Sequence, residues 1–490
     1  MQGKNSFFYV FLLLWGLLFG SPLVAQTNLL QEISKAESAT FSLTAHNKQE
    51  LPTDTARGFF IGANGLALTS TALLRNADTL VVSDHRNKNL ALDRVIAIHP
   101  YANLALVRLA GYRNRDDGFL TPERRPYNPW GEVLHIAPRD DQQHRSRITA
   151  ITQMLQVFGL GRSAVLSLRA SSGERCAPLL NESGHFIGIS HRLHFDAQWV
   201  MLPVYLLGDK NWQNVDQDWS SFKKRSDRLQ LCDPNCCEGL LLQAMEKWTE
   251  SARAFSTALR IQPGHPQILA WRALSRLSYG NTLGAQEDLD RCSRDPSAAA
   301  VTAYTQSKLL LQNEQAGKAQ EVLLAALGTD DNLAEGFLLL GQIQQGSKEI
   351  RKAYASLSHA LELDSLLAMA WYERGRLSMQ YASDQQVALS DLETAARLNP
   401  FLPGIYTLIG SIHFQRNDYL KAIGDFDRAL RINPADDHAL MQRGMARFNT
   451  GLKEGACSDW SAAGRLGNTQ AFRLISRHCN NVKNKTLQAF

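Results

Sequence analysis

The hydrophobic and polar positions of the 490-residue chain follow two different patterns. Between residues 40 and 207, short alternating or continuous apolar runs such as Leu80–Val82 and Val95–Ile98 are separated by turn signals such as Ala63–Gly65. Short apolar runs with turn residues between them predict β-strands, and their number predicts an all-β barrel or sandwich. From about residue 232 onward a much longer period replaces this pattern.

Three small-residue positions recur seven times in the C-terminal half, about every 34 residues, with one extra residue in a turn of the fifth copy. The first position holds Gly239, Ala273, Ser307, Gly341, Gly375, Gly410 and Gly444. The second holds Ser251, Ala285, Ala319, Ala353, Ala388, Ala422 and Ala456, and the third holds Ala258, Cys292, Ala326, Ala360, Ala395, Ala429 and Ala463. This period predicts a solenoid of helix pairs, since small residues are needed where helices cross closely. Such solenoids bind proteins and peptides and rarely catalyse reactions.

The sixth copy carries the most complete motif. Its residues are Tyr406, Ile409, Gly410, Ala422, Phe426, Ala429 and Pro434. This order of aromatic, apolar-Gly, Ala, aromatic, Ala and Pro resembles the tetratricopeptide repeat family, and the likeness covers residues 232 to 470. The resemblance implies an all-α solenoid in which the first helix of each pair lines a concave groove. An unrelated helical bundle is the alternative.

The same resemblance indicates which side chains face the groove in the later repeats. The candidates for partner binding are Tyr372, Arg376, Met379, Thr407, Ser411, Phe414, Met441, Met445 and Phe448. Methionine and aromatic side chains form adaptable contact surfaces. The alternative is that several of these residues belong to the core between repeats. The Lys, Asn and Arg arrangement with which some family members hold a peptide carboxyl terminus is not found.

Motifs in the N-terminal half follow an order that resembles trypsin-like serine proteases of the bacterial HtrA type. Gly58–Ile61 and Leu66–Ser70 match the family's Gly-aromatic strand and its Leu-Thr strand. Asn103–Leu109 is similar to the Asp-Leu-Ala-Leu-Leu strand, and Cys176–Asn181 is similar to the nucleophile loop and its hairpin. The resemblance implies a double β-barrel, and another small β-barrel is the alternative.

The positions that match the catalytic triad of that family carry other residues. Ala72 stands at the histidine position, Asn103 at the aspartate position and Arg175 at the serine position. Alanine accepts no proton, asparagine carries no charge and arginine is no nucleophile, so each triad role is lost. The sequence therefore predicts a non-enzymatic domain. Its former cleft could receive an extended peptide by strand addition, with Arg175 attracting a carboxylate or simply facing solvent.

A rewired triad is a further alternative to the loss of activity. Its candidate nucleophiles are Ser171, Ser172 and Cys176, and its candidate bases are His99, His185 and His191. None of these histidines lies at the family's expected position, which favours ordinary surface or core roles.

The N-terminal residues predict export. Lys4 precedes an apolar run, Phe7–Phe19, and Ser21, Pro22 and Ala25 form a cleavage region before the mature chain. The run is short for a membrane span, which favours a signal peptide over an uncleaved anchor. We expect a bacterial periplasmic or secreted protein without an integral span in its mature chain.

Seven cysteines agree with an oxidising compartment. Cys457 and Cys479 are expected on packed helices and are predicted to form a disulfide. Cys232 with Cys236 or Cys237 is the next candidate pair, and a metal site in this cluster is the alternative. Cys292 occupies a small-residue core position and is expected to be a buried thiol.

These observations divide the chain as follows. We expect a signal peptide at 1–25, the trypsin-like β domain at 26–207, a polar linker at 208–231, the seven repeats with a capping helix at 232–480 and a polar tail at 481–490. The net charge of +5 lacks the clustered basic excess of nucleic-acid binders. No phosphate-binding, metalloprotease or dinucleotide motif is found, so no cofactor or metal is expected.

The sequence thus predicts an exported adaptor that binds proteins or peptides through its repeats, with the β domain as a second docking surface. One alternative is an envelope serine endopeptidase whose repeats recruit substrates. Another is a structural component of an envelope secretion or assembly complex. The partner and the oligomeric state are not determined by the sequence.

Overall fold

The computed structural model describes residues 23–99, 101–112, 119–123, 132–136, 146–157, 160–168, 176–193, 198–208, 212–225, 234–328, 333–381 and 385–479. The chain divides into two compact units, Met1–Leu309 and Leu310–Phe490, which are described separately. The predicted signal peptide lies mostly outside the described residues, as do Arg175, Ser171, Ser172, Cys232 and the tail.

The first unit begins with helix α1, Leu23–Ser38, and a closed antiparallel barrel of six strands. The strands are β1 Thr40–His46, β2 Pro52–Phe60, β3 Leu66–Ser70, β4 Thr79–Asp84, β5 Asn89–His99 and β6 Leu104–Ala110. Their order is β5-β4-β1-β2-β3-β6, and β6 pairs back with β5. A short helix, α2 Thr71–Asn76, follows β3. Alternating inward side chains such as Phe41, Leu43 and Val107 are fully buried and fill this barrel.

A second closed barrel of six strands follows. Its strands are β7 Glu132–His135, β8 Arg147–Val157, β9 Gly161–Leu166, β10 Pro178–Asn181, β11 Phe186–Arg192 and β12 Trp199–Pro203, in the order β10-β11-β12-β9-β8-β7. The barrels pack through the edge-to-face rings of Phe59 and Phe186, whose centroids are 5.1 Å apart. This architecture is consistent with the predicted trypsin-like double barrel.

The segment expected to be a linker contains regular structure. Strand β13, Gln213–Gln217, pairs with β5, and helix α3, Trp219–Arg225, follows it. Phe222 is buried in the core of the first barrel, and the Trp219 indole donates a hydrogen bond to the Leu74 carbonyl at 2.9 Å. The sequence pattern did not predict these elements because most of their residues are polar. Strand β13 lies at the edge of its sheet, and the aromatic residues Trp219 and Phe222 pack against the core.

In the described ranges after residue 225, fifteen helices are arranged as seven pairs and a terminal helix. The first helices of the pairs are α4 Pro234–Ala244, α6 Pro266–Ser278, α8 Ala299–Gln312, α10 Ala334–Gly346, α12 Ala368–Tyr381, α14 Ile405–Gln415 and α16 Asp437–Asn449. The second helices are α5 Trp248–Ile261, α7 Thr282–Cys292, α9 Ala316–Leu327, α11 Ile350–Leu363, α13 Gln385–Leu398, α15 Tyr419–Ile432 and α17 Lys453–Arg465. Helix α18, Thr469–His478, ends the series.

The small-residue positions have the predicted packing cause. All seven residues of the second position are 0% exposed. A Cβ added to Gly410 would lie 2.8 Å from the ring of Phe426, and one added to Gly444 would lie 2.5 Å from the indole of Trp460. The predicted fold class, an all-β region of two barrels followed by a run of helix pairs, is therefore confirmed.

Candidate functional site

Polar side chains on the first helices of the later pairs link each helix to the next. The Arg376 guanidinium donates to Gln345 Oε1 at 2.9 Å, between α12 and α10. The Ser411 hydroxyl donates to Gln442 Oε1 at 2.9 Å, and the neighbouring residue Thr407 donates to Asp436 at 2.8 Å. These bonds bridge α14 to α16 and hold the face of the first helices in register.

The same contacts remove part of the predicted groove from solvent. Thr407, Ser411 and Met441 are only 6–7% exposed, so little of these three side chains is accessible. The hydroxyls of Thr407 and Ser411 are engaged with Asp436 and Gln442, and Met441 packs in the buried cluster that contains Trp460. Phe448 packs against Trp460 and His478, with ring centroids 5.7 and 4.5 Å away.

The remaining groove candidates keep a partly accessible side chain. Tyr372, Met379, Phe414 and Met445 are half-buried against the repeat core, with one side of each at the surface. Burial raises the pKa of the Tyr372 phenol, which therefore stays protonated and able to donate a hydrogen bond. These aromatic and methionine side chains, with Arg376 beside Glu373, form the surface that we call the first-helix face.

Three partly buried arginines join the second helices of neighbouring pairs. Each arginine lies on a first helix, one residue before the first small position. Its Nε and Nη2 donate to an aspartate on the second helix of the same pair at 2.6–3.0 Å. Its Nη1 donates to the second helix of the preceding pair at 2.6–3.2 Å. The sets are Arg272 with Asp288 and Ser256, Arg374 with Asp391 and Ser358, and Arg443 with Asp459 and Asp427.

The three aspartates that accept these bonds are no more than 4% exposed. Bidentate, charge-assisted pairs combine strength with strict geometry, which offsets the cost of burying the charges. We call these three sets the arginine bridges. They fix the spacing between consecutive second helices.

In the first barrel, Ala72 and Asn103 are neighbours. The backbone N–H of Ala72 donates to Asn103 Oδ1 at 2.8 Å, and Asn103 Nδ2 donates to the Ser70 hydroxyl at 3.2 Å. Asn103 has a φ of +54°, a left-handed conformation that asparagine tolerates better than most residues. Its side chain thus anchors the start of α2, and Ala72 brings no acid–base group to the site.

The other residues considered for a rewired triad have varied surroundings. His99 is buried, and its Nδ1 accepts backbone N–H bonds from Tyr101 and Ala102 at 3.3 and 3.0 Å. Cys176 is 5% exposed with a φ of +62°, and its N–H donates to the Ser190 carbonyl at 2.9 Å. His99 is therefore held in a structural turn.

The predicted cysteine pair is present at the C-terminal end. Cys457 on α17 and Cys479 after α18 form a disulfide with Cα atoms 5.8 Å apart. Cys292 is fully buried, and burial raises the pKa of its thiol. Cys236 is also buried, but its predicted partner Cys232 lies outside the described residues. Within the described ranges, no group of three potential ligands could hold a metal ion.

The first helix pair shares its core with the barrels. Leu240 and Leu241 of α4 belong to one buried cluster with Leu155 and Val165 of the second barrel, and α4 packs on β8. On α6, Trp271 meets the ring of Tyr101 edge-to-face at 5.5 Å. The second barrel therefore covers the apolar face that the first pair would otherwise expose. No local sequence pattern predicts this contact, since it joins segments that are far apart in the chain.

Comparison with known proteins supports the repeats. A tetratricopeptide repeat family model matches residues 380–437 and 407–460. Over 262 residues, the chain is 21% identical to the human mitochondrial import receptor subunit TOM70, covering 52% of this chain and 43% of that protein. It is 26% identical over 149 residues to anaphase-promoting complex subunit 3 of Schizosaccharomyces pombe, covering 30% of this chain and 22% of that one. The matches thus span less than half the length of these relatives.

Solved structures with similar helices include two bacterial proteins. Pseudomonas aeruginosa PilF aligns with a TM-score of 0.39 at 20% identity, over 43% of this chain and 95% of that one. MamA aligns with a TM-score of 0.31 at 23% identity, over 34% of this chain and 96% of that one. In the part of the chain that the structure describes, no helix has the length and apolar character needed to cross a membrane.

Proposed function

We propose that this chain is an exported, non-enzymatic scaffold that binds proteins or peptides through its first-helix face. The observation that carries the proposal is the row of half-buried Tyr372, Met379, Phe414 and Met445 on consecutive first helices. Side chains of this type, held by a rigid frame, are common in protein-binding surfaces. Sequence similarity to an import receptor subunit and to a subunit of a large complex supports the same role.

A position-specific crosslink tests this surface. The photoreactive residue p-benzoylphenylalanine replaces Phe414 in the full chain, which is then irradiated in its native cell envelope. A matched control carries the same residue at Leu283, which is 81% exposed on a second helix. We expect discrete adducts from position 414 that position 283 does not give. Equal adducts at both positions, or none at 414, would overturn the proposal.

The loss of protease activity is the second part of the proposal. Ala72 offers no base, and the Asn103 side chain is engaged with Ser70 and the Ala72 backbone. A fluorophosphonate probe reacts only with an activated serine, so we expect no labelling of the native chain. Labelling that a serine substitution in 171–172 abolishes would instead favour the envelope endopeptidase.

Export and docking on the β domain complete the proposal. Sequencing of the secreted or periplasmic form is expected to give Gln26 as the first residue, and a chain retained in the cytoplasm would contradict export.

Both barrels are closed, so a peptide added as a strand would pair with the edge strand β13 rather than open a barrel. A crosslinker at Val215 of β13 tests that docking.

A further inference from the structure

The sixth helix pair lacks the arginine that completes a bridge in its neighbours. Ile409 occupies the position that corresponds to Arg272, Arg374 and Arg443. Asp425 follows Ile409 by 16 residues and Glu393 precedes it by 16, the separations found around Arg443. Both carboxylates are therefore present, but α14 supplies no arginine to lie between them.

A surface pocket of about 470 Å³ lies at this place. It is lined by Glu393 of α13, Asp425 and Gly424 of α15, and Ile409 of α14. A Cβ added to Gly424 would meet no atom within 4 Å, so the α15 wall of the pocket is open. We infer that this pocket binds the arginine side chain of an extended partner polypeptide, with its guanidinium between Glu393 and Asp425.

The other charged groups around the pocket define how the arginine would enter. His413 Nδ1 lies 2.7 Å from Asp425 Oδ2, as Arg447 lies against Asp459 in the seventh pair. Arg428 reaches Asp425 Oδ1 at 3.4 Å, a longer contact than any aspartate bond of the arginine bridges, and its side chain is 55% exposed. Arg428 also lies over the Tyr406 ring at 5.7 Å, so an incoming guanidinium must displace it from both contacts before it can pair with Asp425 Oδ1.

Two further cations, Arg397 and Lys421, stand at the rim, and Lys421 is paired with Asp418 at 3.8 Å. The rim as a whole is basic, so charge alone would favour an anion. The argument for arginine is geometric, because at three equivalent positions a guanidinium lies between the second helix of its own pair and the second helix of the preceding pair. This inference deepens the proposed function and rests on it for the source of the arginine, a partner polypeptide.

The Ile409 methyl group reports directly on the pocket. Full-length protein with 13C-labelled isoleucine methyl groups is titrated with acetyl-Ala-Ala-Arg-Ala-Ala-amide, and Ile409→Leu identifies the signal. We expect a saturable shift of the Ile409 methyl at up to about 10 mM peptide. The citrulline peptide, which has the same shape without the charge, should bind about tenfold more weakly. Glu393→Gln, a change at an exposed residue, should weaken the arginine peptide similarly.

Three results would overturn the inference. They are no shift with the arginine peptide, equal shifts with arginine and citrulline, and a stronger shift with a glutamate peptide, which would assign the pocket to anions. The methyl titration does not depend on the first-helix face. A failed crosslink at Phe414 with a positive titration would therefore count against the proposed function alone.

A stability measurement without any ligand tests whether position 409 can accommodate an arginine. Ile409→Arg should restore an internal bridge, so its melting temperature should equal or exceed that of the native chain. The control Ile412→Arg buries an unpaired charge on the same helix at a residue that is 0% exposed. We expect the control to lower the melting temperature by about 10 °C or more. Equal losses in the two variants would contradict a preformed guanidinium site.

Discussion

The first and the last helix pair are shielded from solvent by different structures. At the first pair, a folded barrel buries the apolar face of α4, with Leu240 and Leu241 in a shared core. At the last pair, the ten-residue helix α18 closes the core, and a disulfide ties it down. Terminal repeats need such covers because each repeat buries only its inner faces against a neighbour. The first pair is stabilised by the apolar area that it buries against the second barrel. The last pair buries less area against α18, and a disulfide adds a covalent bond.

The largest expected effect comes from breaking the barrel-covered end. Trp271→Ala removes a side chain that is 2% exposed and contacts both Tyr101 and Phe255. We expect a loss of about 3–5 kcal/mol in the free energy of unfolding, measured by denaturant titration with circular dichroism.

The matched control is Tyr101→Phe, which keeps the ring and removes the 3.3 Å hydrogen bond to Gln267. It should cost about 1 kcal/mol or less. Equal losses in the two variants would show that the hydrogen bond, and not the aromatic packing, secures this end.

Breaking the disulfide end should have the next largest effect. The double change Cys457→Ser and Cys479→Ser opens a link across 22 residues, which we expect to cost about 3 kcal/mol. Reductant should destabilise the native chain by a similar amount and leave the double variant unchanged. A double variant as stable as the oxidised native chain would show that α18 needs no covalent support.

A smaller effect is expected between the two ends, at Glu335 on α10. Burial, with Asp364 nearby, raises the pKa of this carboxyl to about 7. Between the unfolded pKa of about 4.5 and pH 7 the folded state retains a proton that the unfolded state loses, so stability falls as pH rises.

Glu335→Gln should remove this slope and add about 2 kcal/mol at pH 8, as measured by denaturation at several pH values. The variant with Cys457→Ser and Cys479→Ser serves as a control. It should keep the dependence of stability on pH, because its changes lie at the disulfide end and leave Glu335 in place. A slope that persists in Glu335→Gln would place the titrating group elsewhere.

The sequence predicted much of this architecture, because repeated small residues and turn signals are local marks of packing. The repeat of about 34 residues predicts where each of the seven pairs lies in the chain. It also predicts that Cys457 and Cys479 lie on helices that pack together. The period left open whether Thr407, Ser411 and Met441 face the groove or the core between repeats. Periodicity identifies the face of a helix, whereas burial depends on how closely the next helix lies.

Two other features needed the folded chain. The contact of Tyr101 with Trp271 joins a barrel loop to the second helix pair, and no local pattern records such a pairing. The vacancy at Ile409 is visible only after the arginine bridges are known. An isoleucine at an apolar position otherwise looks like ordinary core.

The barrel that covers α4 also has a consequence for the order of folding. The barrels precede the helix pairs along the chain, so we expect them to be the first part of the protein that is able to fold. That pair can then form on an existing apolar surface, which removes the nucleation step that an isolated helical array must pass. We expect the remaining pairs to grow from this or any other formed pair, and the disulfide between Cys457 and Cys479 to form once α17 and α18 are packed.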